Sequence, residues 1–65
     1  MRIIKLTEVM KYHENIQRYF NVDKIENFKR MAASTYLYMS TSSASYEIVE
    51  TPEEIIQLIE QAKEI

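Results

Sequence analysis

The sequence predicts an α+β domain: an antiparallel β-meander of four to five strands followed by one C-terminal amphipathic helix. Three observations lead there. From Ile3 to Val49, short runs rich in branched and aromatic residues alternate with polar ones, the pattern of strands with one buried face. The segments between them are rich in amide, carboxylate and hydroxyl side chains, which bond to nearby backbone and turn the chain. After Thr51 the apolar spacing changes to that of a helix, behind a complete start signal.

The first strand is Ile3-Ile4-Lys5-Leu6-Thr7-Glu8-Val9, with Ile4 and Leu6 on one side and Lys5 and Thr7 on the other. A second runs from Ile16 to Val22, where Ile16, Phe20 and Val22 share a face. The connection between them, Lys11-Tyr12-His13-Glu14-Asn15, contains neither Gly nor Pro and predicts a wide loop in place of a two-residue primed turn. Asn21-Val22-Asp23-Lys24-Ile25 predicts a tight corner, because Asn and Asp side chains accept bonds from backbone N–H groups close by. Ile25 to Met31 then forms a third strand with Glu26, Phe28 and Arg30 on one side and Ile25, Asn27 and Met31 on the other. A helix over Asp23–Ala33 is the rival, since Ile25, Phe28 and Ala32 also stand near helical spacing.

Thr35-Tyr36-Leu37-Tyr38-Met39 and Tyr46-Glu47-Ile48-Val49 predict a hairpin around the hydroxyl-rich loop Ser40–Ser45. The count of Gly 0 means that every turn must use right-handed residues, or Asn, Asp and Ser in left-handed conformations. At the end of the chain Thr51 is the N-cap, Pro52 the first helical residue and Glu54 the residue that reaches back to the cap. Ile55, Ile56, Leu58, Ile59, Ala62 and Ile65 form the apolar stripe. A helix of roughly 13 residues is marginal in water alone, so the stripe must lie on the sheet. Which sheet face it covers is open at this level: covering the Leu37/Met39 side turns Tyr36 and Tyr38 outward, and the opposite packing exposes Leu37 and Met39 instead.

Composition sets further bounds. A hydrophobic fraction of 46% and a charged fraction of 28% belong to a folded chain. Its 65 residues make one small α+β domain, residues 1–65, with no repeat or linker. A lone core of that size supplies about 3–5 kcal/mol unless disulfides, metal or a partner chain add to it. With Cys 0, disulfides and thiolate metal sites are closed, which makes a homo-oligomer the expectation. The run after Met1 is broken at Lys5, and no stretch nears the roughly 18 apolar residues of a membrane span. A cytoplasmic location without a membrane span is therefore expected. The net charge of −2 is unevenly spread, since residues 1–31 hold seven of the eight Lys and Arg, and residues 32–65 hold six of the ten Asp and Glu. The two halves attract weakly, within a chain or between copies.

No catalytic, cofactor or metal site is predicted. His13 is the sole histidine, whereas a metal or catalytic centre needs several converging ligands or a positioned nucleophile. The hydroxyls of Ser34–Ser45 have neither an obvious base nor an oxyanion hole to activate them. A non-enzymatic protein is the expectation. The candidate interaction residues are Tyr36, Tyr38, Tyr46 and Tyr19, which suit a contact with a second subunit, a protein partner or a small ligand held between subunits. Nucleic acid is the alternative partner, with bases stacked on these tyrosines and phosphates met by Lys5, Arg18, Lys29 and Arg30. A net charge of −2 and an acidic helix weaken that alternative.

The order Ile4-Lys5-Leu6-Thr7, Asn21-x-Asp23-x-Ile25, Thr35-x-Leu37-x-Met39 and Tyr46-x-Ile48-Val49-Glu50-x-Pro52-Glu53-Glu54-Ile55 resembles the small flagellar FlbD/SwrD-like proteins and similar uncharacterised proteins of bacteria and phages. The likeness spans nearly the whole chain. It implies the same meander and helix, no catalytic residue, and a flagellar motor accessory role as a further alternative. The chain departs from the flagellar pattern at Met10–Asn15, where that family has Asn-Gly, and at Ser42-Ser43-Ala44-Ser45, where it has a Gly-containing turn. Those departures point to a phage or mobile-element relative.

Overall fold

The computed structural model describes residues 1–65. It contains β1 (Ile3–Glu8), β2 (Ile16–Asn21), a 3-10 turn (Val22–Lys24), β3 (Ile25–Met31), β4 (Ser34–Met39), β5 (Ser45–Ile48) and the helix α1 (Pro52–Gln61). All pairings are antiparallel, in the order β2-β1-β5-β4-β3. The expected α+β architecture is thus the observed one. Of the two readings of residues 23–33, the strand holds, preceded by the 3-10 corner whose Asn21 Oδ1 accepts from Asp23 N–H at 3.0 Å.

The strand order forces the sheet to curl. In a flat sheet, four steps of about 4.8 Å would hold β2 and β3 roughly 19 Å apart. The four residue steps from Asn21 to Ile25 reach at most about 14 Å. The two edges therefore converge at the 3-10 turn, and the sheet wraps around its inner face. Its two halves, the hairpin β1-β2 and the meander β3-β4-β5, meet at one narrow joint where Glu8 pairs with Ile48. Val9 N–H to Glu47 O and Val49 N–H to Thr7 O, both 2.9 Å, flank that pair. Glu50 clamps it from outside the ladder, its carboxylate accepting from Thr7 N–H at 2.8 Å and from Thr7 Oγ1 at 2.9 Å.

The hairpin contributes Ile4, Leu6 and Phe20 to the core, the 3-10 turn Val22, the meander Leu37 and Ile48, and the helix Ile55. Burying each of these side chains is worth about 1.5–3 kcal/mol before the loss of chain entropy. Simple alternation along β3 separates Ile25 from Phe28, yet both pack on this core. The reason is a bulge between Ile25 and Asn27, where one extra residue reverses the parity of the strand.

The helix starts as its sequence dictates. Glu54 N–H donates to Thr51 Oγ1 at 3.2 Å, and Thr51 N–H donates to Glu54 Oε1 at 2.9 Å. Its length and stripe differ from expectation. It ends at Gln61, and Ala62 turns extended (φ −66, ψ 134), so the last residues run back beside β1, where Ile65 N–H reaches Met1 O at 2.8 Å. The cause is tertiary: Arg2 Nη1 takes the Ile59 carbonyl at 3.3 Å, and Ala62 packs against the core as the chain leaves the helix. Ile56 and Ile65 are left exposed, so the stripe is narrower than the spacing implied. The helix contacts β1 and β3 and joins the core on the Leu37 side, which settles which sheet face it covers.

The turn between β3 and β4 is the second departure. Met31 pairs with Ser34, leaving only Ala32 and Ala33 to reverse the chain. Ala32 takes a φ of 55, where Asn, Asp or Ser was expected to supply any left-handed residue. An L-residue with a Cβ is strained there by roughly 1–2 kcal/mol. The two-residue link requires that strain, since a loop this tight needs at least one positive φ to match the strand twist.

Candidate interaction surface

Alternation along β4 sends Thr35, Leu37 and Met39 inward and Ser34, Tyr36 and Tyr38 outward, away from the helix. In the register of the meander, Tyr36 stands between Lys29 of β3 and Glu47 of β5, and Tyr38 stands between Asn27 and Ser45. The Lys29 ammonium lies 5.5 Å from the centroid of the Tyr38 ring, within cation–π range. Ser34 Oγ donates to Glu47 Oε2 at 2.7 Å and holds that carboxylate down on the sheet beside Tyr36. One register step further, Met31 pairs with Ser34, and Val49 follows Ile48 just past the end of β5; they are exposed at 47% and 49%. Val49, Met31, Tyr36 and Tyr38 thus make one outward strip, with a cation on one side and a carboxylate on the other.

The four candidate tyrosines do not converge. Tyr36 and Tyr38 share this strip. Tyr46 pairs with Leu37 and so faces inward, where its ring meets Phe20 edge-on with centroids 5.2 Å apart. Arg18 lies over the same Tyr46 ring at 5.4 Å. Tyr19 sits opposite Lys5 on the outer side of the hairpin and is 67% exposed. Met31 and Val49 were missed as surface residues. The signal for Val49 was its alternation with the inward Ile48, and Met31 becomes readable once the tight turn fixes its partner as Ser34.

Two of the four basic candidates, Arg18 and Arg30, are engaged with carboxylates. Arg18 Nε donates to Glu8 Oε1 at 2.6 Å, and Arg30 pairs with Glu53 in the first turn of the helix. The Glu53 carboxyl is held below the ordinary range mainly by its own backbone N–H, with Arg30 adding to the effect. Glu64 is lowered by the hydrogen bond and charge of the N-terminal ammonium that it faces. His13 is exposed on the loop between β1 and β2, and no group of three or more His, Asp or Glu side chains is arranged as metal ligands would be. No helix is long and apolar enough to cross a membrane.

Fold and surface together define a class, the small curled-sheet domain with one helix packed inside and one aromatic strip outside. The chain matches no family model, no curated protein and no solved structure. Chemistry of the surface carries the functional argument.

Proposed function

We propose that this protein is a non-enzymatic interaction module that works as a homo-oligomer and presents its outer sheet face, around Tyr36 and Tyr38, to another protein chain. The single observation that carries this is the strip itself: two tyrosines, a methionine and a valine stand on the face that the only helix does not cover. Tyrosines give large contact area at small cost in side-chain entropy and are enriched where proteins meet. Lys29 and Glu47 at its two sides give the strip a polar rim of mixed sign. That rim suits a peptide or protein surface better than phosphates, which Glu47 would repel. The engagement of Arg18 and Arg30 with carboxylates supports the same preference.

Self-association is favoured by size. Seven buried apolar residues are a small core, and chains of this length commonly gain stability from a second copy. Light scattering over a range of protein concentrations tests this part, with a multiple of the monomer mass expected. A monomer that unfolds cooperatively at every concentration removes it. The face is tested by panning a displayed random-peptide library on the immobilised protein. Enriched peptides should bind the parent and lose binding to the Tyr36→Ser/Tyr38→Ser double variant while its far-ultraviolet spectrum is unchanged. Peptides that bind both equally would place recognition elsewhere.

A further inference from the structure

We propose that β2 is a self-pairing edge, at which two copies join antiparallel across a two-fold axis at Tyr19 and merge two sheets into one. This rests on the homo-oligomer reading and specifies its seam.

The sheet has two edges, and they are not alike. β3 carries the devices that keep an edge unpaired: a bulge at Ile25/Asn27, the charges Glu26, Lys29 and Arg30, and an ion pair from Arg30 to the helix. β2 has no bulge and no tie to the helix. Its register with β1 is unbroken from Ile16 to Asn21, and its first four residues are exposed. Its one charged side chain, Arg18, is already paired with Glu8.

Backbone polarity then selects the residues that can pair. Val22 N–H donates to Arg2 O at 2.9 Å, so Val22 faces β1. Along an antiparallel strand, alternate residues direct both N–H and C=O to the same side. Phe20, Arg18 and Ile16 therefore also face β1, and Gln17 and Tyr19 point both backbone groups at the open edge, joined by the N–H of Asn21, whose carbonyl caps the 3-10 turn. A second strand docking there must oppose residues of the same sheet face, so a two-fold axis must pass through a residue. Centring on Arg18 sets two guanidiniums directly opposite each other, which is destabilising. Centring on Phe20 runs the pairing into the 3-10 turn, and centring on Gln17 leaves few residues to pair. Centring on Tyr19 makes a reciprocal hydrogen-bonded pair at the axis, sets Gln17 opposite Asn21 on each side, and brings Arg18 opposite Phe20. The two Tyr19 rings meet on the outer face, where 67% of the residue is now in water. The Tyr36/Tyr38 strip lies three strands away on β4 and stays open in each copy.

The test uses the full chain. Tyr19→Lys puts like charges across the axis while changing an exposed side chain, and it should raise the dimer dissociation constant by about tenfold or more. The thermal unfolding of the monomer should fall only slightly, because the new ammonium stands opposite Lys5 at a site already in water. Because the chain has Cys 0, single cysteines map the seam independently: Tyr19→Cys should cross-link between copies with a short bis-maleimide, and Met31→Cys, on the outer strip, should not. A wild-type protein that is monomeric throughout overturns the oligomer reading and this seam together. A wild-type dimer that survives Tyr19→Lys, and cross-links faster through Met31→Cys than through Tyr19→Cys, overturns the β2 seam alone.

Discussion

Leu37 and Tyr38 are neighbours on β4, and one peptide unit separates two environments. Leu37 is fully buried against Ile55 and the hairpin residues, while Tyr38 lies half-buried on the opposite face beside the Lys29 ammonium. The inner face contains almost all of the stabilising burial. The outer face, where Tyr36 and Tyr38 are half-buried, carries less of that duty, so its residues can be changed at smaller cost and the effect read as recognition. The difference teaches where to look for function in a chain this short: on the face that folding does not need.

The sharpest way to break the comparison is to shorten both side chains. Leu37→Ala should cost about 2–5 kcal/mol, by lost transfer energy and a cavity, which is comparable with the whole stability of so small a core. Urea titration followed by circular dichroism should find it largely unfolded without denaturant. Tyr38→Ala should cost about 1 kcal/mol or less. Equal losses at the two positions would show that the outer face is structural.

The helix that closes the inner face gives the next effect. Thr51→Ala removes the hydroxyl that accepts Glu54 N–H and should lower stability by about 1 kcal/mol. Peptide binding at Tyr36 and Tyr38 should be unchanged, because the hydroxyl of Thr51 bonds to Glu54 N–H and to no residue of the strip. Thr51→Ser should recover most of the loss.

A gain of similar or smaller size is expected at the β3–β4 turn. Ala32→Gly relieves the Cβ strain at φ 55. Part of that relief is offset by the greater freedom of glycine in the unfolded chain. A net rise of about 0.5–1 kcal/mol is expected, with both faces left as they are. Ala33→Gly, at a position without a positive φ, should not stabilise. If both substitutions stabilise equally, the turn is of another type.

That turn also shows what was legible in the sequence. The capping box, the Asn21 corner and the wide first loop are local events, and residues a few positions apart determine each of them. The bulge at Ile25/Asn27 and the insertion of β1 between β2 and β5 depend on partners far along the chain, so no local pattern announces them. Ala32 was hidden for a different reason. Alanine has no preference for a positive φ, and only the short link between Met31 and Ser34 imposes one. The tyrosines divide in the same way: the alternation of Tyr36 and Tyr38 with Leu37 is visible in four residues, but the inward aim of Tyr46 follows from the loop Ser40–Ala44, which sets the register of β5 against β4.

The smallest effect belongs to the pair that ties β3 to the helix. Glu53 has a folded-state pKa below its ordinary value, chiefly through its own backbone N–H and secondarily through Arg30. A depressed carboxyl contributes stability that is present above its unfolded pKa and is lost as pH falls through the folded one. The contribution of Glu53 is thus full at neutral pH and disappears in the acid range below the usual glutamate value. Both partners are well exposed, so solvent and salt screen the pair and the gain is slight. Thermal melts from neutral to acid pH should show Glu53→Gln converging on the wild type as the acid limb is reached. Arg30→Gln should narrow the difference between them only in part, because the backbone N–H of Glu53 remains. If Arg30→Gln abolishes the difference, the ion pair and not the helix start holds the carboxylate, and β3 is guarded by the helix more firmly than its exposure indicates.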